Sequence, residues 1–131
     1  MKVVMTSVLM ALTLSSAAYA HEGHENAPGA LKASHGGVVK AGEQLNLEYV
    51  VSGTQIKLYP VSHEGKDLAP SAVKISGTSK SPKAKEENLK LTVKDGAYVG
   101  DVDFKGAYRV EMKVVAEISG KKDSFKFQVE K

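Results

Sequence analysis

From Leu45 to Val129 apolar and polar residues alternate with a period of two, interrupted at short intervals by turn-forming residues. That pattern belongs to β-strands buried on one face, because successive side chains of a strand point to opposite sides. Leu45, Leu47, Tyr49 and Val51 form one inward set, with Asn46 and Glu48 on the other face. Ser52-Gly53-Thr54 is a turn, after which Ile56 and Leu58 face inward and Lys57 outward as far as Pro60. His63 to Asp67 has loop composition, and Val73 with Ile75 marks the next strand. Lys80 to Asn88 reads as a solvated connection. Leu89, Leu91 and Val93 alternate with Lys90, Thr92 and Lys94, and Asp95-Gly96 is a two-residue hairpin signal. Tyr98, Val102 and Phe104 follow on the return, then Lys105-Gly106. The longest inward set runs Tyr108, Val110, Met112, Val114, Ala116 and Ile118, and Ser119-Gly120 turns the chain into Phe125, Phe127 and Val129.

Seven to eight short strands with no helical stretch in the mature part predict an all-β, antiparallel, immunoglobulin-like sandwich, in which two facing sheets bury every alternating face. A small closed barrel satisfies the same periodicity. Asp101 and Asp103, on one outward face, fit ordinary solvation better than a paired-carboxylate or calcium site.

Ahead of the strands, Lys2, an apolar run from Val3 to about Leu14, and the small-residue site Ala18-Tyr19-Ala20 have the three-part form of a cleaved signal peptide. The run is too short for a membrane span. Residues 1–20 are therefore read as the signal, 21–36 as a flexible histidine-containing tail and 37–131 as the sandwich domain, the whole exported to a bacterial periplasm without a membrane span in the mature chain. Residues 21–131 suffice for one core. Seventeen of the 18 Lys and Arg and all 15 Asp and Glu lie after Ala20, so the mature charge is about +2. The basic residues are mixed with acidic ones and no stacking aromatics accompany them, which argues against nucleic acid. There is no cysteine, so thiolate metal sites are excluded.

The four histidines, His21, His24, His35 and His63, all precede the middle of the chain and avoid inward strand positions. His21, Glu22, His24 and Glu25 place two imidazoles and two carboxylates within five residues, beside the amine that cleavage after Ala20 would free. Imidazole and carboxylate donors suit a divalent transition metal: zinc, copper(II), cobalt or nickel. The terminal amine and ring of His21 can also close a chelate on one ion. Only Met112 survives cleavage among the methionines, at an inward position, so a thioether copper(I) site is not expected. Gly36-Gly37 permits a sharp turn from tail to first strand, and equally allows His35 to point back at a neighbour.

His35-Gly36-Gly37-Val38-Val39, the strand LNLEYVV and the segment IKLYPVSHEGKDL resemble the small β-sandwich near the N-terminus of periplasmic adaptor subunits of cobalt-zinc-cadmium-type efflux pumps. The resemblance covers roughly Ser34 to Ala72. It implies that His21, His24, His35 and His63 meet metal, with an efflux-pump component as partner. The chain lacks the hairpin and lipoyl-type domains of a full adaptor, which implies an accessory or buffer for heavy-metal resistance. A CopC-type copper carrier is similar in its N-terminal histidine, but a further histidine near the last strand is missing here. Ser62-His63-Glu64 does not make a triad by adjacency, and no enzyme is expected. The alternative is a non-catalytic envelope module for protein contact in which the histidines are incidental.

Overall fold

The computed structural model describes residues 31–131. The expected signal peptide and residues 21–30 lie outside the described residues. Among the described residues no helix is long and apolar enough to cross a membrane. Nine strands follow one another: β1 Val38–Ala41, β2 Asn46–Ser52, β3 Gln55–Val61, β4 Lys74–Lys80, β5 Glu87–Asn88, β6 Thr92–Lys94, β7 Ala97–Asp101, β8 Arg109–Ile118 and β9 Lys121–Glu130. They form two antiparallel sheets, one ordered β1-β2-β3-β7-β6 and the other β5-β4-β8-β9. The fold is thus an all-β sandwich, as the alternation predicts, and the separation into two sheets decides against the single closed barrel.

Leu45, Leu47, Ile56 and Leu58 on the first sheet face Val110, Met112, Val114, Ala116, Phe125, Phe127 and Val129 on the second, and all are buried. Tyr49 stacks on Phe127 across the gap, ring centroids 3.9 Å apart and planes within 7°. Burial in this layer pushes the Tyr49 hydroxyl above its ordinary pKa. Two tight hairpins set the register. Asp95 (φ 52°) and Gly96 (φ 78°) close Lys94 onto Ala97, and Ser119 (φ 52°) and Gly120 (φ 77°) close Ile118 onto Lys121. Paired positive φ values match the right-handed twist of the flanking strands.

Three local expectations change. Tyr108 was expected inward, yet it is 63% exposed and precedes β8, so the buried row begins at Val110. Leu89, Leu91 and Val93 were expected as one strand, but β6 spans only Thr92–Lys94 and Val93 is 58% exposed. The chain changes sheets here: the Leu89 amide donates to Gly77 of β4 at 2.9 Å, whereas Val93 pairs with Tyr98 of β7. A segment crossing between layers cannot keep one ladder. Pro60 does not end β3, because its carbonyl, on the side away from β2, accepts from Leu68 at 2.9 Å, and the ladder to β7 has already stopped at Leu58. A missing N–H there breaks no sheet bond.

Candidate functional site

Glu48 occupies the face of β2 that alternation assigns to solvent, yet it is 0% exposed. The chain before β1 covers it. One carboxylate oxygen accepts the amides of His35 (2.8 Å) and Gly37 (2.9 Å), and the other accepts the amide of Ser34 (3.0 Å). A buried carboxylate is tolerated only when its lone pairs are met in this way. The approach is close enough that a Cβ on Gly37 would lie 2.2 Å from the Tyr49 carbonyl oxygen and 2.8 Å from a Val50 methyl. Gly36 turns the chain with φ 76° and Gly37 lets it touch β2, which gives the His-Gly-Gly motif its physical meaning.

This strap delivers His35. Its ring stacks on Tyr59 of β3 at 3.7 Å with planes 7° apart, and Nε2 lies 2.8 Å from Asp67 Oδ1. An ionised carboxylate only accepts, so Nε2 donates, and of the two neutral tautomers this contact selects the one with its lone pair on Nδ1. The side chain is about a quarter exposed, at 24%.

His63 stands in the loop 62–67 and is exposed. The loop is closed by Ser62, whose amide donates to the Lys66 carbonyl (2.8 Å) and whose carbonyl accepts from Gly65 (2.9 Å). His63 Nε2 donates to the Gly42 carbonyl at 2.9 Å. Glu64 is held below the ordinary carboxylate range, first by its own backbone amide, then by the Ser62 hydroxyl, with His63 and Lys66 adding smaller attractions. An open cleft of about 440 Å³ lies beside the contact of this loop with the strap, lined by Lys32, Ala33, Ser34, Glu64 and Gly65.

Of the six residues expected to bind metal, His21, Glu22, His24 and Glu25 lie outside the described residues. His35 and His63 have separate oxygen partners, and among the described residues no three His, Asp or Glu side chains converge as a complete metal site requires. Sequence reasoning missed Glu48, Tyr59 and Asp67. Glu48 carries the signature of an outward strand residue and Asp67 of a loop residue, so only the fold marks them. Asp103, exposed as expected, accepts the Lys105 amide at 2.9 Å and belongs to a surface ion pair.

No protein-family model matches the chain, and no curated protein does. Among solved structures, a DUF4426 family protein from Pseudomonas aeruginosa superposes with a TM-score of 0.52 at 18% identity, over 71% of this chain and 94% of that one. BhCBM56, as a bromine derivative, gives a TM-score of 0.46 at 9% identity over 71% and 98%. The DUF4426 likeness extends to the sandwich fold and no further. The efflux-adaptor and copper-carrier resemblances gain no support from these matches and rest on the quoted motifs alone.

Proposed function

We propose that the chain is a periplasmic protein that binds a divalent transition metal, acting as a non-catalytic accessory or buffer for heavy-metal efflux. The observation that carries this reading is the state of His35. Tyr59 holds its face and Asp67 holds Nε2, so in the neutral ring Nδ1 is the nitrogen that carries the lone pair. A carboxylate behind an imidazole fixes the tautomer and raises the basicity of the opposite nitrogen, the arrangement that metal-ligating histidines use. Such a donor loses little rotamer freedom on binding, unlike one on a mobile chain.

One imidazole does not hold an ion. The remaining donors would come from His21 and His24, with Glu22, Glu25 and the new amine, which precede the strap in the sequence. His63 is a further candidate, since its Nδ1 is the nitrogen left over after the bond to Gly42. Zinc and copper(II) are the first ions to test, because the donors are nitrogen and oxygen, cysteine is absent and Met112 is fully buried.

Calorimetric titration of the exported chain with zinc and copper(II) tests the reading. The expected result is a Kd below about 10 μM, about 7 kcal/mol, at least tenfold weaker in His35→Ala and lost when His21 and His24 are both replaced by Ala. Absence of binding to either ion would sink the metal reading and leave an envelope interaction module as the surviving one.

A further inference from the structure

We propose that Glu48 is the positioning residue of this site: it determines where the His35 ring stands without touching the metal. The inference rests on the metal-binding reading for its purpose, though the positioning itself can be tested without metal. Glu48 and Tyr59 are direct cross-strand partners on β2 and β3. One binds the His35 backbone through its amide, at 2.8 Å, and the other carries the ring, at 3.7 Å. Two adjacent positions of the sheet thus grip two parts of one residue. Asp67, reached from the far side of the loop after β3, completes the grip at Nε2.

Burial of Glu48 makes the grip cooperative. Its carboxylate has no exposure, and the strap supplies every hydrogen bond that the described residues give it. Lifting the strap would therefore release the ring and at the same time exchange three charge-assisted hydrogen bonds of the carboxylate for bonds to water. Both losses keep the strap seated. Gly37 is part of the same device, because any side chain there would hold the backbone off Tyr49 and Val50.

Two variants test this by different routes. Glu48→Gln removes the charge and replaces one acceptor oxygen by a donor; Gly37→Ala lifts the strap while leaving the carboxylate in place. In the metal-free, ¹⁵N-labelled chain, the wild type should show a single His35 tautomer with the lone pair on Nδ1. Both variants should average the tautomers and speed hydrogen exchange at Ser34, His35 and Gly37 by at least about tenfold, leaving His63 and the core amides unchanged. On zinc titration each should weaken binding by about 10–100-fold, and neither should weaken it further when His35 is already Ala.

Unchanged His35 ring signals and amide exchange in the folded variants would overturn the proposal. So would an equal loss of zinc affinity in the His35→Ala background. If Glu48→Gln does not fold, Gly37→Ala decides. A wild type that takes up neither zinc nor copper(II) defeats the metal-binding reading, while the metal-free measurements still judge Glu48.

Discussion

Asp67 acts on the ring of His35 and is itself largely exposed, at 59%. That separates its effect on binding from its effect on stability. Asp67→Asn keeps the size but removes the charge that selects the Nε2–H tautomer, so zinc affinity should fall about 10–100-fold. Urea unfolding should change by less than about 1 kcal/mol, as expected for an exposed pair. A second residue-scale prediction concerns Asp103. The Lys105 amide, and after it the Lys105 ammonium, hold this carboxyl below its ordinary pKa of 3.8. A carboxylate with a lowered pKa in the folded state adds stability above its unfolded value, and that stability is lost as pH falls through the folded one. The thermal midpoint of the wild type should therefore drop as pH decreases below 3.8, and Asp103→Asn should flatten that part of the curve. An unchanged acid limb would show that the Asp103–Lys105 pair has no energetic role.

Among the elements, the hairpins and the β1–β2 corner place different demands on glycine. Gly96 has φ 78° and nothing within 4 Å of the point where a Cβ would sit. Gly96→Ala should thus report backbone strain alone, a loss of about 1–2 kcal/mol in urea unfolding. Gly42 lies at the corner, where a Cβ would come 2.5 Å from the Leu45 carbonyl oxygen, 2.6 Å from Asp123 Oδ2 and 2.9 Å from the Phe125 ring. Asp123 Oδ2 is already bound to the amides of Gln44 (2.8 Å) and Leu45 (3.0 Å), so this contact ties the β1–β2 corner to β9 of the other sheet. Gly42→Ala should destabilise more than Gly96→Ala, because backbone and a clamped carboxylate must both move. The reverse order in matched urea curves would show that the corner is slack.

At the scale of the molecule, one apolar layer holds the two sheets together. Phe127 packs in it against Tyr49 on the facing sheet. Phe127→Ala should cost about 3–5 kcal/mol, observed as a shift of a single cooperative transition, since a layer shared by both sheets leaves neither able to unfold alone. Two separate transitions would refute that coupling. The strap lies on the outside of this layer, on the opposite face of β2, so variants at His35 should alter metal uptake with little effect on the core.

Much of the sandwich was readable in the chain because strand alternation and the dipeptides Asp95-Gly96 and Ser119-Gly120 are local: each reports the backbone geometry of its own neighbourhood. They specified which faces turn inward and where hairpins close. Alternation says nothing about what covers an outward face, so Glu48 reads as solvated until the strap lies over it. The passage of residues 88–92 between sheets is hidden for the same reason. Of the candidate donors His21, Glu22, His24, Glu25, His35 and His63 that the chain offers, only His35 and His63 lie among the described residues, and they have separate partners. The partners of His35 depended on tertiary structure, since Asp67 is 32 residues away in sequence and Tyr59 meets the ring only because β2 and β3 pair in one register. Hydrogen bonds and ring contacts act over a few ångströms, and only the folded chain brings groups so distant in sequence within that range.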